Sequence, residues 1–349
     1  MRRLGLRAMK ELDLIEQICR SFAGNRNRSV RLGIGDDCAI LGCEPGHEVV
    51  VTTDFTLEGR HFRRDLHPPE SVGHRCLARG LSDIAAMGAT PTTAFLSLAV
   101  PATLLANTAG RHWLAGFFSG LRTLADRHGI TLAGGDTAES PADAVLADIV
   151  LLGSAPKGKA LRRAGARAGD ALYVTGGLGG SAAELQSMLA GGKRKKSGRT
   201  TKKNPAEESH PHLFPEPRVN VGLALRRHGL ATACIDISDG LSTDLAHLCR
   251  ASGVTAEVES AAIPLHPLAR RLGTEAALNA ALNGGEDYEL LFSAPATVRM
   301  PRQIAGVPIT RIGRLMRRST TRPMMTLLSP ENVRATLEPG GWEHFSDRR

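Results

Sequence analysis

The sequence has no CxxC pair, no His at zinc-ligand spacing beside its six cysteines, and no GxxxxGK[ST] loop or HRD/DFG set. The first two absences leave Cys19, Cys38, Cys43, Cys76, Cys234 and Cys249 as reduced thiols of a cytosolic protein, several of them packed as small hydrophobes. The others exclude the common phosphoryl-transfer folds. No window approaches the roughly 20 apolar residues of a membrane span. The longest apolar run, Ala144 to Leu152, contains Asp148 and is strand-like. Aromatics are only 4% of the chain, with two Trp, so each Trp carries more weight.

What is present suits a globular protein. The 349 residues suggest two domains, each large enough for its own core, and 42% apolar with 23% charged residues is near the globular average. The net charge of +9 is local: Lys193, Arg194, Lys195, Lys196, Arg199, Lys202 and Lys203 fall in one acid-free stretch, and removing those seven leaves +2. Leu12, Ile15, Ile18 and Phe22 recur at helical spacing among acids, so the N-terminus reads as an amphipathic helix and not as a signal peptide.

Further on, Glu48–Thr53 reads as a strand ending at Asp54, and Val72 to Gly88 as a helix stopped by Pro91. Ala94–Val100 and Val145–Leu152 read as strands, and Trp113, Phe117, Leu121 and Leu124 as a helix. A short strand through Ile130 and Leu132 enters Gly134-Gly135-Asp136. Strands and helices without a clean βαβ repeat imply an α+β, mixed α/β fold. A basic Gly/Ala-rich segment before the strand Ala171–Thr175 puts the boundary near 155, giving domains 1–154 and 155–349. Residues 191–212, polar and lysine-rich, are expected to be a disordered surface loop within the second domain.

The chemistry lies in aspartates that this reading puts at strand ends beside Gly: Asp36-Asp37, Asp54, Asp136, and Asp236 with Asp239, joined by Asp83 on a helix. Two charges about 4 Å apart repel by roughly 4 kcal/mol at an effective dielectric near 20, so such a cluster needs cations. Oxygen ligands with almost no His or Cys nearby select a hard ion such as Mg²⁺, and the glycines let backbone N–H groups approach phosphates. Ser238 is expected to cap the helix through Leu241, Leu245 and Leu248, whose N-terminus is an anion site. A single Asp-Gly is usually only a turn, and the pattern has weight in aggregate.

The motifs are more specific than their chemistry. Gly33-Ile34-Gly35-Asp36-Asp37-Cys38-Ala39, Thr53-Asp54 through Glu58-Gly59-Arg60-His61-Phe62, and Leu81-Ser82-Asp83-Ile84-Ala85-Ala86-Met87-Gly88-Ala89 cover the first half. Gly134-Gly135-Asp136-Thr137, Ile235-Asp236-Ile237-Ser238-Asp239-Gly240-Leu241 and Gly284-Gly285-Glu286-Asp287-Tyr288-Glu289-Leu290-Leu291-Phe292 follow. Together they resemble the bacterial thiamine-monophosphate kinase family, in family order over nearly the whole chain.

The resemblance implies an aminoimidazole-ribonucleotide-synthetase-like fold with N-terminal domains paired in a homodimer and ATP in a long cleft. It implies Asp37, Thr53, Asp54, Asp83, Asp136, Asp236 and Asp239 as Mg²⁺ ligands, with Thr52 a weaker one, and Asp37, Asp54 and Asp239 as the catalytic set. Gly135, Asp136, Arg163 and Ser238 match ATP-contacting positions. His61, Glu286 and the aromatic of Gly341-Trp342-Glu343-His344-Phe345 match positions that hold thiamine phosphate. The implied reaction is direct transfer of the γ-phosphoryl of ATP to thiamine monophosphate, giving thiamine diphosphate and ADP. The setting is the cytoplasm, with several Mg²⁺ ions and with neither membrane nor specific nucleic acid as partner.

Three places depart from the family pattern: Gly80 where Asn is usual, Ala138-Glu139 where Thr-Arg is frequent, and Gly180 where Asp is common. A second reading is another enzyme of the superfamily, such as a purine-pathway synthetase, a hydrogenase-maturation protein or selenophosphate synthetase. The last is expected to carry a reactive Cys in a Gly-rich loop, whereas Cys19 lies on an apolar helix face. A third reading, of another class, is a basic nucleic-acid-binding protein. No aromatic lies between Lys193 and Lys203 to stack on bases, so that run supports only weak, salt-sensitive attraction.

Overall fold

The computed structural model describes residues 11–22, 27–32, 34, 39–191, 210–319, 321 and 323–342. Asp36, Asp37, residues 192–209 of the insert and Phe345 therefore lie outside the described residues. Two compact units emerge, one of Met1–Ile84 with Thr90–Gly158, the other of Ala85–Ala89 with Lys159–Arg349.

The first unit runs α1 (Glu11–Ser21), β1 (Val30–Leu32), β2 (Ile40–Leu41), β3 (His47–Leu57), α2 (Pro69–Ala86), β4 (Thr90–Val100), α3 (Ala102–Ala106), α4 (Thr108–His128), β5 (Thr131–Glu139) and β6 (Leu146–Pro156). Its main sheet has the order β3-β6-β4-β5, antiparallel except for the parallel β4–β5 pair. Alternation decides what each face does: Ala147, Ile149 and Leu151 of β6 are buried, as are Leu77, Leu81 and Ile84 of α2. On the opposite face Val49, Val51 and Phe55 of β3 are exposed.

The second unit comprises β7 (Asp170–Thr175), α5 (Gly180–Leu189), α6 (Val219–Arg227), β8 (Ala233–Ile237), α7 (Leu241–Ser252), β9 (Val254–Glu259), α8 (Pro267–Arg270), α9 (Thr274–Asn283), β10 (Glu289–Pro295), β11 (Gln303–Ile304), β12 (Val307–Arg317), β13 (Met325–Leu328) and β14 (Arg334–Thr336). Its sheet has the order β14-β13-β9-β12-β7-β10-β8, with β11 paired to β12. Leu172, Val174, Ile235, Ile237 and Leu291 of that sheet share one core with Leu241, Leu245 and Leu248 of α7.

The α+β class and most elements follow the hydrophobic pattern. Several boundaries do not. β3 runs through Asp54 to Leu57 and β5 through Asp136 to Glu139, so both aspartates lie inside strands and not at their ends. Ladder pairing with β6 and β4 continues past them and outweighs the local Gly/Asp turn signal. Pro91 does not follow the α2 helix in a loop but sits in β4. The expected surface loop 191–212 ends differently as well: His212 is buried, its N–H donating to Glu184 Oε2 at 2.8 Å. A carboxylate partner lets a polar residue enter a core that composition alone would deny it.

Candidate active site

In the first unit, period-2 alternation puts Thr52 and Asp54 on the face of β3 that meets α2. There Thr52 Oγ1 donates to Asp83 Oδ2, and Arg79, one helical turn before Asp83, reaches Asp54 Oδ1 at 3.6 Å. Burial raises the Asp54 pKa to about 6; Arg79 pulls it down, and the charges of Asp83 and Asp148 push it up. Thr53 points the other way and donates to Asp148 Oδ1 at 2.8 Å, so its side chain does not join Thr52, Asp54 and Asp83. Asp136 is separated from this group as well. β3 and β5 are the outer strands of the four, three spacings apart, roughly 14 Å along the sheet at about 4.8 Å each.

Gly135 has φ 152°, and a Cβ there would stand 1.9 Å from the Leu96 carbonyl oxygen, so β5 approaches β4 at that point as only glycine allows. Beside it Asp136 is exposed, its Oδ1 accepting from the Thr137 N–H at 2.9 Å. Gly80 lies over the β3 face: a Cβ would be 3.3 Å from Leu151 Cβ and 3.4 Å from Thr52 Cγ2. Glycine at this departure therefore spares a tight contact with Leu151, while Thr52 would meet a side chain there only at ordinary van der Waals distance.

His61 follows β3 in a pinned turn. The Leu57 N–H donates to its Nδ1 at 3.0 Å, so in the neutral ring Nε2 carries the proton and acts as a donor. The buried Arg75 donates to the His61 carbonyl at 3.0 Å, and Glu58 braces the turn from the Arg64 guanidinium (2.6 Å) and the Val145 N–H (2.9 Å).

In the second unit the turn Ser238-Asp239-Gly240 links β8 to α7. The expected Ser238 cap is absent; the N-cap is Gly240, with no side-chain hydrogen bond of its own. Instead the N–H groups of Ser238, Asp239 and Gly240 all donate to Asp244 Oδ2 at 3.1 Å. A carboxylate one turn into α7 reaches back over the helix start and occupies the position expected for an external anion. Burial, then the charges of Asp236 and Asp239, hold the Asp244 carboxyl well above its ordinary value. Sequence reasoning missed Asp244; its signal was an acidic residue in the first turn of a helix that begins with Gly.

Two further segments grip the same turn. The Glu286 N–H donates to Ser238 O at 2.7 Å, and the Trp342 N–H to Asp239 O at 2.9 Å. Glu286 and Tyr288 adopt φ of 54° and 49°, conformations of the kind stored at functional sites. The Glu286 carboxylate lies 3.5 Å from Nδ1 of buried His212, which is also 3.0 Å from Ser181 Oγ. Asp287 caps α5, accepting from the Gly179 N–H at 2.7 Å and the Ser181 N–H at 3.2 Å. Burial lifts its pKa to about 7 despite those bonds. At the departure Gly180, a Cβ would meet His266 Cγ at 2.6 Å, so His266 fills the space where a side chain would start. Arg163 is exposed, its carbonyl accepting from Ser252 Oγ at 2.9 Å, and its charge adds to burial in lowering the His247 pKa.

Among the described residues no three His, Cys, Asp or Glu side chains converge as a ready metal cage. The donors that do meet, Asp54 and Asp83 with Thr52, are all oxygens. That suits Mg²⁺, which takes one or two carboxylates and completes its shell with water and substrate phosphates.

Family models extend this picture: residues 35–155 match the N-terminal domain of AIR synthase related proteins and residues 167–318 the C-terminal domain. Fold and site thus define an AIR synthase related protein. The thiamine-monophosphate kinase of Escherichia coli (strain K12) is 38% identical over 325 residues, 91% of this chain and 93% of that protein. A crystal structure of thiamine-monophosphate kinase from Stenotrophomonas maltophilia K279a superposes with a TM-score of 0.77 at 35% identity, covering 91% and 96% of the two chains. A structure described as AaThiL complexed with AMPPCP and TMP matches with a TM-score of 0.71 at 28% identity over 99% of each chain. The chain belongs to the thiamine-monophosphate kinase family.

Proposed function

We propose that this kinase transfers the γ-phosphoryl of ATP to the phosphate of thiamine monophosphate, releasing thiamine diphosphate and ADP. The observation that carries the reading is the Ser238–Asp239 turn, on whose carbonyls both Glu286 and Trp342 are hydrogen-bonded. A carboxylate of the metal-binding type and two acceptor-type residues are thus held by one piece of backbone.

The acceptor is a phosphate oxygen, largely ionised at neutral pH, so no strong general base is needed and catalysis consists of in-line positioning and charge neutralisation. Thr52, Thr53, Asp54, Asp83 and Asp136, with Asp37, would hold Mg²⁺, as would Asp236 and Asp239. The bound Mg²⁺ supplies electrostatic stabilisation of the transferring phosphoryl group. Gly135 and Asp136, with Arg163 and Ser238, bind ATP. His61 donates its Nε2 proton toward the acceptor phosphate, Glu286 draws the thiamine cation, and the Trp342 indole stacks on its rings.

The protein acts in the cytoplasm as a homodimer, without a nucleic-acid partner. The five described cysteines are free thiols, in keeping with a reducing compartment, and no described helix is long and apolar enough to cross a membrane. Pairing is supported by the outer face of β3, where Val49, Val51 and Phe55 are exposed in a row.

Trp342→Ala tests the acceptor assignment. An indole attracts a thiazolium by stacking and cation–π contact of roughly 0.5–2 kcal/mol, so KM for thiamine monophosphate rises about 3–30-fold while KM for ATP is nearly unchanged. Trp342→Phe recovers most of the loss. Steady-state kinetics with each substrate varied in turn give the answer, and equal weakening of both substrates removes Trp342 from the acceptor pocket.

A further inference from the structure

The segment Gly340-Gly341-Trp342 is fastened at three consecutive N–H groups. Gly340 donates to Ser242 Oγ at 3.0 Å, Gly341 to Thr243 Oγ1 at 3.1 Å and Trp342 to the Asp239 carbonyl at 2.9 Å. Ser242 in turn donates to Asn283 Oδ1 at 2.7 Å, so the first turn of α7 ties the strap to the end of α9. The approach tolerates no side chain: a Cβ on Gly341 would stand 2.0 Å from Asp239 O.

The ties hold a residue that gains little burial from them. The Trp342 side chain remains 50% exposed. A large aromatic fixed through its backbone and left half open is pre-organised for a flat ligand, because the ordering cost is met before binding. The third tie is the carbonyl of Asp239, so the indole and that carboxylate are set from one peptide.

We propose that Ser242 and Thr243 are positioning residues for the acceptor: their hydroxyls fasten the Gly340–Trp342 strap to α7 and so aim the Trp342 indole at the thiamine ring. The inference rests on Trp342 being an acceptor-binding residue. Neither hydroxyl touches substrate. Loosening either one costs acceptor affinity while leaving ATP binding and the chemical step.

The test begins from Trp113→Phe, which leaves Trp342 as the single tryptophan of the two in the chain. Trp113 stacks with Phe62 and Phe117 in the first unit, a packing that Phe retains, so this parent keeps full activity. In it, Thr243→Val removes the acceptor oxygen at nearly constant volume, and Thr243→Ser keeps that oxygen. One lost hydrogen bond raises KM for thiamine monophosphate about 3–10-fold in the Val variant, with kcat and KM for ATP within about twofold of the parent. Acrylamide quenching of Trp342 emission increases in parallel, and the Ser variant restores both quantities. A Val variant with the parent's KM and quenching overturns the proposal, as does a rise in both KM values that Ser fails to rescue. A parent that forms no thiamine diphosphate overturns the acceptor reading itself, and the strap's role with it.

Discussion

Asp54→Asn and Asp239→Asn each lower kcat by about 100-fold or more at saturating substrates, the usual scale for removing a group that stabilises charge developing on a transferring phosphoryl. The two substitutions act in different units, on a face of β3 and on the turn before α7, and neither removes packing volume. Both variants therefore keep the parent's circular dichroism. In magnesium-free buffer Asp54→Asn melts no lower than the parent, because burial, together with the charges of Asp83 and Asp148, disfavours the Asp54 carboxylate by more than Arg79 favours it. Titrating Mg²⁺ against initial rate distinguishes a lost ligand from a lost fold: a ligand variant shifts the Mg²⁺ dependence. Full activity with an unchanged Mg²⁺ profile in both variants removes these residues from the site.

Arg218→Met unfolds the second unit at markedly lower denaturant. Arg218 grips Glu289 with two bonds, Nε to Oε2 at 2.7 Å and Nη2 to Oε1 at 2.5 Å, and Thr175 Oγ1 donates to the same carboxylate at 2.5 Å. Glu289 is buried at the start of β10. Removing the guanidinium leaves that charge without its counterion, at a cost of about 3–5 kcal/mol, whereas replacing both charges is close to neutral. Arg218→Met combined with Glu289→Gln consequently recovers most of the stability, since the amide oxygen still accepts from Thr175. Urea unfolding of the two single variants and the double variant measures the coupling, and additive losses contradict it.

Local pattern made much of the fold legible. Ile18 of α1 is buried as its spacing predicts, and Asp83 stands on α2. What was lost lies at longer range. The Thr52/Thr53 distinction follows from strand alternation alone, yet a motif read as a block hides it: one residue's shift turns a side chain to the other face. Asp244 escaped because Ser238 satisfies the local capping rule, whereas geometry lets a residue one turn further on collect three N–H groups at once. His212 was averaged into a polar segment, although its burial depends on Ser181 and Glu184, far away in sequence. The contacts of Gly340 and Gly341 with Ser242 and Thr243 span 98 residues, a separation at which periodicity is silent.

This chain joins two phosphates and does not merely hydrolyse one. Purified protein incubated with ATP, Mg²⁺ and thiamine monophosphate, with thiamine diphosphate and ADP quantified together by chromatography, tests it most directly. Thiamine diphosphate and ADP form in equal amounts, both dependent on Mg²⁺ and on thiamine monophosphate. ADP formed at the same rate without thiamine monophosphate, or no thiamine diphosphate from folded protein, would contradict it.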